Sequence, residues 1–385
     1  MFDFTHAPNR RGSDSIKWRV APGELPMWIA DMDFATAPSI TAALTARLAD
    51  GAYGYETPGP AYAEAVCTWF DQQHGVALAP EACLFAAGVM PTLGALIRAL
   101  TPRGSGVLVQ APVYNLFFGT IEATGRQVVR SDLRQRAGRY AIDWTDLTAK
   151  LAAPTTTMMI VCNPHNPIGQ VWDKATLARI AALCQAHDVL LVADEIHGDL
   201  VLSGTPYVPI ASVTDQAIAL VSPSKTFNLA GLHAATAIVP DVTLRAQVAQ
   251  ALATYRLDEP NLLAVPGTIA AYTTGGPWLA ALKDQLRTNI ATTRTTLAQT
   301  LPALRVVPPA ATYLMWLDVS AWHEKATVLA DQLRAATGLI VSAGDAYRGD
   351  GNHYLRLNIA CPPNRLADGL ARLARGLNEP GEAHN

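Results

Sequence analysis

The chain has 385 residues, of which 50% are hydrophobic and 16% are charged, and its formal net charge is −3. This composition allows a large buried core, and the length suggests two or three domains or one large domain with an appendage. No basic block indicates a nucleic-acid partner, no apolar run is long enough to predict a membrane helix, and the polar first residues do not resemble a signal peptide. The cysteines are odd in number and widely spaced, which fits neither a zinc site nor a disulfide framework and indicates a reducing cytoplasm.

In chain order, short apolar runs alternate with helical patterns through the middle of the sequence. The runs are "ACLFAAG", "SGVLVQ", "TTTMMIVCN", "VLLVADE", "AIALVSPSK" and "AATAIVP", and a helix is predicted from about Pro91, after the first run. Apolar runs separated by helices predict βαβ units and a largely parallel sheet that is buried on both faces. The sequence therefore predicts an α/β fold.

The pattern changes after Pro277. The stretch "WLAALKDQLRTNIATTRTTLAQTL" predicts one long amphipathic helix, and "TYLMWLDV", "GLIVSAG" and "HYLRLNIA" predict strands of a smaller α+β domain. We therefore expect a large domain over residues 45–280 and a small domain formed by residues 1–44 and 281–385.

Several polar residues follow the predicted strands at the points where the strands end. In open parallel sheets, ligands bind at the carboxyl ends of the strands. These positions hold the turn Gly88–Met90, Tyr114, Asn166, Asp194 and Lys225. Lys225 is the unusual member, because it lies among small and apolar residues directly after the run "AIALV".

This set of residues matches what a pyridoxal phosphate site needs. A desolvated lysine is a good nucleophile toward the cofactor aldehyde, and an aspartate keeps the pyridine nitrogen protonated. The N–H groups of a helix start and the Ser222 hydroxyl suit the phosphate, and Tyr114 offers a flat surface for the ring. Each residue alone has an ordinary structural interpretation, such as a helix cap for Asp194 or a solvent-reaching side chain for Lys225. Their occurrence together at the strand ends favours the cofactor site.

At these residues the chain resembles the class I/II aminotransferase superfamily, the fold-type-I pyridoxal-phosphate enzymes, and within it the C–S lyase (cystathionine β-lyase, MalY/PatB) subgroup. The similar motifs are "SDSIKW", "LPMWIADMDF", "YGYETPG", "GVMPTL", "APVYN", "NPHNPIG", "ADEIHGDLV", "SPSKTFNLAGL" and "YLRLNIACP". The resemblance implies the fold-type-I architecture, in which the large domain holds a mostly parallel seven-stranded sheet and a smaller α+β domain is added. It also implies pyridoxal 5′-phosphate as the cofactor and a homodimer with shared active sites.

The functional positions of the family transfer residue by residue. The resemblance implies that Lys225, Asp194 and Tyr55 are catalytic, with Lys225 carrying the cofactor and Asp194 facing the pyridine nitrogen. The implied cofactor contacts are Lys225, Asp194, Val89, Met90, Tyr114, Asn166, His197, Ser222, Ser224 and, from the neighbouring subunit, Tyr55. The implied substrate contacts are Arg356, Asn166, Ala30 and Tyr114. Arg356 would bind the α-carboxylate with its planar guanidinium, and the alternative is a surface arginine on an edge strand.

Four positions separate this chain from many relatives. His197 stands where aminotransferases commonly carry a tyrosine, and the C–S lyases have a histidine there as this chain does. His233 stands where many aminotransferases carry a phosphate-binding arginine. Ile168 replaces a threonine of the "NPHNPTG" pattern, and Arg19 replaces an acidic residue of the subgroup. The last two differences bear on the substrate more than on the cofactor.

The resemblance implies β-elimination on cystathionine, cysteine or another S-substituted L-cysteine, which yields a thiol, pyruvate and ammonia. An aminotransferase stays open as an alternative, as does a specialised biosynthetic lyase or decarboxylating variant that acts on a bulky cysteine S-conjugate. A regulatory binding module that uses the same fold is the alternative from a different class. We expect a cytoplasmic enzyme that acts on a small amino acid and binds neither nucleic acid nor membrane.

Overall fold

The computed structural model describes residues 2–136 and 138–378. Its strands are β1 (Leu25–Pro26), β2 (Cys83–Ala86), β3 (Gly106–Val109), β4 (Gln127–Arg130), β5 (Arg134–Arg136), β6 (Arg139–Ala141), β7 (Thr156–Cys162), β8 (Leu190–Asp194), β9 (Ala217–Val221), β10 (Ala235–Ile238), β11 (Arg305–Val306), β12 (Leu314–Asp318), β13 (Leu339–Ile340), β14 (Ser342–Ala343) and β15 (Tyr354–Asn358). Its helices are α1 (Pro38–Ala49), α2 (Pro60–His74), α3 (Val89–Leu100), α4 (Leu116–Ala123), α5 (Trp144–Leu151), α6 (Lys174–Ala186), α7 (Pro223–Thr226), α8 (Val242–Thr254), α9 (Ala264–Thr274), α10 (Gly276–Thr300), α11 (Ala326–Thr337) and α12 (Pro363–Asn378).

A seven-stranded sheet forms the centre of the fold, in the order β2-β10-β9-β8-β7-β3-β4. Neighbouring strands from β9 to β4 run parallel, whereas β10 runs antiparallel to both β9 and β2. The mostly parallel sheet predicted from the apolar runs is confirmed. Strand β9 shows why a completely apolar run predicts a strand of this sheet. Every residue of "AIALV" is buried, because a parallel sheet covered by helices has no solvent face.

Alternate side chains of one strand enter two separate cores. In β8, Val192 belongs to the core that includes α3, α4 and α8, whereas Leu191 and Ala193 belong to the core that includes α2, α6 and α9. This alternation follows from the two-residue period of a strand. It leaves Asp194, the last residue of β8, at the edge where both packed layers end.

A four-stranded sheet, in the order β11-β12-β15-β14, forms a second unit with helices α11 and α12. The predicted long amphipathic helix is confirmed as α10. Strand β15 lies between β12 and β14, so the alternative that places Arg356 on an edge strand is wrong. The division of the chain at residues 44 and 281 stays a prediction. Within the described ranges no helix is both long and apolar enough to cross a membrane.

Residues 28–34, here called the 28–34 segment, connect the two sheets through their main-chain oxygens. From β15, the Asn358 side-chain amide donates to the carbonyl oxygen of Asp31 at 2.8 Å. From the loop after α7, the Asn228 side-chain amide donates to the carbonyl oxygen of Met32 at 3.1 Å. The segment is therefore held by both structural units at once.

A buried charge cluster fixes the carboxyl end of the same segment. Asp33 and Lys17 are 1% and 2% exposed, and the Lys17 ammonium lies 3.0 Å from an Asp33 carboxylate oxygen. The indole N–H of Trp18 donates to the same oxygen at 2.9 Å. Arg365 of α12 lies 3.0 Å from the other oxygen. Since a buried carboxylate without partners is costly, this arrangement strongly favours one position of the segment.

Candidate active site

One cavity lies where β7, β8 and β9 end and α3 begins. The predicted residues that line it are Ala30, Val89, Met90, Tyr114, Asn166, Asp194, His197, Ser222, Ser224 and Lys225. These residues come from separate parts of the sequence, and the parallel sheet brings them together because its strands end at one edge.

Lys225 reaches the cavity from the short helix α7. Its ammonium donates to the main-chain oxygen of Ala30 at 2.6 Å. Removal from bulk water and, to a smaller extent, the Arg356 charge lower the pKa of Lys225 to about 8, against the opposing effect of the Asp31 and Asp194 carboxylates. A useful fraction of Lys225 is therefore neutral and nucleophilic near neutral pH.

Asp194 places a buried carboxyl group at the end of β8. One oxygen accepts the backbone N–H of Ile196 at 3.2 Å, and the residue is 3% exposed. Burial raises the pKa of Asp194 to about 6, while the Ile196 N–H and the Lys225 charge pull the pKa down. A cationic ligand group beside this carboxyl would favour its ionised form.

The start of α3 offers backbone donors to the cavity. Gly88 precedes the helix with φ of 102°, a conformation that favours glycine. Pro91 has no N–H, and the N–H of Thr92 already donates to the Gly88 carbonyl at 3.2 Å. The N–H groups of Val89 and Met90 therefore remain for an anion, as is usual in the first turn of a helix.

The two predicted serines differ in their hydrogen bonds. The Ser222 hydroxyl donates to the carbonyl oxygen of Ala234 at 2.6 Å and accepts the backbone N–H of Ser224 at 3.1 Å. The Ser224 oxygen lies 2.9 Å from the Ser222 oxygen. Because the Ser222 proton is used within the chain, Ser224 is the better placed donor to a ligand.

Arg356 adjoins the cavity through Asn166. One guanidinium N–H donates to the Asn166 side-chain oxygen at 3.1 Å, and another donates to the main-chain oxygen of Trp28 at 2.8 Å. The guanidinium carbon lies 5.0 Å from the centre of the Tyr347 ring. These contacts orient the guanidinium plane and leave the Asn166 amide N–H₂ to face a ligand.

His197 and Tyr114 are neutral polar groups on the cavity wall. Burial lowers the pKa of His197 to about 3, and the Lys225 and Arg356 charges act in the same direction. Burial raises the pKa of Tyr114 to about 12. The buried Nδ1 atom of His197 has no hydrogen-bond partner among residues 2–136 and 138–378, so it is available to a ligand.

Tyr55 is a predicted site residue that does not line the cavity of its own chain. Tyr55 is 102% exposed, in a loop that leads from α1 to α2, so its predicted role stays a prediction. Sequence analysis missed Asn228 and Asn358, which hold the 28–34 segment. Asn358 carried a signal, because it lies two residues after Arg356 and side chains with that spacing share one face of a strand.

The residues present fit pyridoxal phosphate. The Nδ1 atom of His197 would meet the ring oxygen, the carboxyl of Asp194 would meet the ring nitrogen, and the Val89 and Met90 N–H groups would meet the phosphate. Such a ligand would supply a hydrogen-bond partner to the buried Nδ1 atom of His197, which has none among residues 2–136 and 138–378.

Three comparisons with known proteins agree with this geometry. Residues 29–373 match the family described as aminotransferase class I and II. The chain is 38% identical to cystathionine beta-lyase PatB of Bacillus subtilis, over 98% of this chain and 100% of that protein, and 34% identical to protein MalY of Escherichia coli, over 98% and 99%. Among solved structures, the pyridoxal-phosphate-bound C–S lyase of Staphylococcus hominis superposes with a TM-score of 0.92 at 29% identity, over 98% of this chain and 99% of that one.

The lowered pKa of Lys225 predicts a distinct labelling profile. Reductive methylation of cofactor-free protein with formaldehyde, read for each lysine by peptide mass spectrometry, should show Lys225 labelling rise with a midpoint near pH 8. An ordinary lysine, with a pKa of about 10.4, reacts with a midpoint more than two units higher, because only the neutral amine is a nucleophile. The exposed Lys174 is the internal control, and equal midpoints for both residues would contradict the assignment.

Proposed function

Because the chain belongs to the class I and II aminotransferase family, we propose that it is a pyridoxal-phosphate-dependent carbon–sulfur lyase. The reaction is β-elimination on cysteine or on an S-substituted L-cysteine such as cystathionine. The thiol leaves, and water hydrolyses the remaining enamine to pyruvate and ammonia. The similarity to the cystathionine beta-lyase of Bacillus subtilis and to the C–S lyase of Staphylococcus hominis supports this activity. The observation that carries it is the Lys225 amine of lowered pKa, held in one cavity with the Asp194 carboxyl and beside Arg356.

The proposed cofactor contacts follow from the groups that line the cavity. Lys225 would hold the cofactor covalently, and Asp194 would hold a proton on the ring nitrogen. Asn166 and His197 would bind the ring oxygen, and Tyr114 would cover the ring. When bound, pyridoxal phosphate supplies an electron sink for the pair of electrons left at the substrate α-carbon.

Lys225 is the base that takes the α-proton. Its amine must be neutral to accept a proton, and burial provides this by lowering its pKa to about 8. The Ala30 carbonyl oxygen, which accepts a hydrogen bond from this nitrogen at 2.6 Å, orients the lone pair. Proton removal should therefore weaken as the pH falls well below 8, since Lys225 then becomes ammonium.

Arg356 selects an α-amino acid and fixes its orientation. A guanidinium binds a carboxylate through two parallel N–H donors, which sets the direction of the other bonds at the α-carbon. Because Trp28 and Ala30 belong to one segment and accept hydrogen bonds from Arg356 and Lys225, the distance between carboxylate and base is constrained. The sulfur on the neighbouring carbon can then leave as a thiolate with the C–S bonding pair, while the electrons at the α-carbon form a double bond to that carbon.

We further propose a homodimer with shared sites in the cytoplasm. The loop from residue 50 to residue 59 is exposed almost throughout. Tyr55 is 102% exposed, and Tyr53 is 66% exposed although its hydroxyl donates to the Leu48 carbonyl at 3.1 Å. Large exposed aromatic side chains are typical of contact surfaces. The cytoplasmic location is proposed because all five cysteines are free thiols in the structure.

The first test is the product formed without a keto-acid acceptor. Purified protein supplied with cystathionine should release pyruvate and a thiol in equal amounts over many turnovers. The Lys225→Ala variant should lose about a hundredfold or more of the rate, because the general base is gone. Lys174→Ala is the matched control for an exposed lysine. A reaction that stops after one turnover and resumes when a keto acid is added would identify an aminotransferase instead.

The second test concerns Arg356. Arg356→Ala removes a charged, two-point contact worth roughly 2–4 kcal/mol, so kcat/KM should fall by more than about tenfold. Cofactor absorbance should remain, because Arg356 does not line the cofactor cavity. Arg305→Ala, on β11 of the same sheet, is the control. Unchanged kinetics or a colourless Arg356→Ala protein would place the carboxylate elsewhere.

The third test mixes two inactive variants. If each site uses Lys225 of one chain and Tyr55 of the other, Tyr55→Ala and Lys225→Ala chains should complement each other when refolded together. Random pairing makes about half of the dimers hybrids, and about a quarter of all sites are then intact. Activity should recover to that fraction of the parent activity, provided that Tyr55→Ala alone is nearly inactive. Hybrids detected by mass but without recovered activity would show that Tyr55 does not serve the partner's site.

A further inference from the structure

Asp199 is a buried carboxylate close to the active site, and the proposed reaction gives it no role. It lies two residues after His197, which lines the cavity. We propose that Asp199 is a positioning residue for Lys225 and acts by holding helix α7 through Thr226. This inference rests on the proposed function, because it concerns how the chain keeps the base of that reaction in place.

The contact joins the turn after β8 to the helix that carries Lys225. The hydroxyl of Thr226, which is fully buried, donates to Oδ2 of Asp199 at 2.9 Å. Lys225 lines the cavity, whereas Thr226 does not. Because neighbouring residues of a helix point about 100° apart, the two side chains leave α7 in different directions. The hydrogen bond therefore holds α7 from behind and leaves the Lys225 amine free to reach the cavity.

Helix α2 holds the other oxygen of Asp199. The indole N–H of Trp69 donates to Oδ1 at 2.9 Å, and Nε2 of His74 lies 2.9 Å from the same oxygen. The Trp69 ring also packs edge-on against the Phe227 ring, with the ring centres 5.7 Å apart. Since Phe227 directly follows Thr226, α2 and Asp199 hold the same end of α7.

These contacts keep Asp199 ionised although it is buried. Burial raises the pKa of Asp199. The contacts with His74, Trp69 and Thr226 lower it more, so that the pKa lies below the usual value of an aspartate. An ionised acceptor makes a stronger hydrogen bond than a neutral one. The Thr226 hydroxyl thus has a strong acceptor whose position is fixed from α2.

The position of α7 matters because the Lys225 amine has a defined acceptor. Its nitrogen lies 2.6 Å from the Ala30 oxygen, which belongs to the 28–34 segment and not to α7. Loss of the Thr226 contact would let α7 move relative to that segment. A displacement of about 1 Å at a reacting group can cost about a hundredfold in rate. A smaller displacement should lower kcat and admit water to the amine, which raises its pKa toward that of an ordinary lysine.

The test changes each partner of the contact. Thr226→Val removes the hydroxyl at nearly constant volume, Asp199→Asn removes the charge, and Thr226→Ser keeps the hydroxyl. Thr268→Val is the matched control, because Thr268 is also fully buried and its hydroxyl donates to the Ala264 carbonyl at 2.8 Å within α9. Reductive methylation reports on Lys225 in the cofactor-free protein, and pyruvate release reports on the loaded enzyme.

In cofactor-free Thr226→Val protein, the midpoint of Lys225 labelling should rise by about one unit from the parent value near pH 8. With cystathionine, kcat should fall by about tenfold while KM stays within about twofold, because Arg356 is held by contacts outside α7. Asp199→Asn should shift both quantities in the same direction. The Asp199→Asn/Thr226→Val double variant should lose about as much as the worse single variant, since both changes break one contact. Thr226→Ser and Thr268→Val should match the parent.

Different results would separate the possible failures. If Thr226→Val melts at a lower temperature but keeps the parent labelling midpoint and kcat, the contact only stabilises the fold and the proposal is wrong. A raised KM at unchanged kcat would also contradict it, because the contact would then act on substrate binding. If Asp199→Asn does not fold, Thr226→Val and its Thr226→Ser rescue decide the question. A parent protein that releases no pyruvate would overturn the proposed function, whereas the labelling midpoints would still show whether Asp199 positions Lys225.

Discussion

The hydrogen bond from the Lys225 amine to the Ala30 carbonyl, 2.6 Å long, is the contact on which the geometry of the site depends. A buried lysine needs an acceptor, and a side-chain carboxylate in that place would keep it charged. A main-chain oxygen orients the nitrogen without adding a full negative charge. Two residues earlier, the Trp28 oxygen does the same for Arg356. One short stretch of backbone thus spaces the base and the carboxylate-binding group.

Burial sets the charge of the site before any ligand arrives. Loss of water raises the pKa of Asp194 to about 6 and lowers those of Lys225 and His197 to about 8 and about 3. The largest cause of all three shifts is the same, since desolvation disfavours whichever form is charged. At these pKa values Lys225 is mainly cationic and Asp194 mainly anionic near neutral pH, so the two charges nearly cancel. A ligand that brings a cationic ring nitrogen would further favour the ionised form of Asp194. Specificity for such a ligand follows from the same physics as reactivity.

The sheet and much of the site could be predicted because their signals are local. Completely apolar runs such as "AIALV" are typical of buried parallel strands, and the residue after such a strand lies at the binding edge whatever surrounds it. Lys225 and Asp194 were found in this way.

The buried ion pair of Lys17 and Asp33 could not be predicted from the sequence. Such a pair depends on which distant segments meet, and each residue alone resembles a surface charge. The predicted role of Tyr55 is harder still to derive from local sequence signals, since it depends on a second chain. The hydrogen bonds of Ser222 could not be predicted from the sequence either. A serine that stabilises its own turn and a serine that binds a ligand can occur in the same sequence motif.

The cluster around Asp33 has a consequence for biosynthesis. Its members Lys17 and Asp33 leave the ribosome early, whereas Arg365 leaves it after the strands of both sheets have been made. Domains fold as units during synthesis, and contacts between distant positions form late because they must close long loops. The central sheet can therefore assemble while the 28–34 segment still lacks one of its charged partners. The 28–34 segment, which carries the Ala30 acceptor of Lys225, therefore gains the last charged partner of Asp33 only when α12 packs.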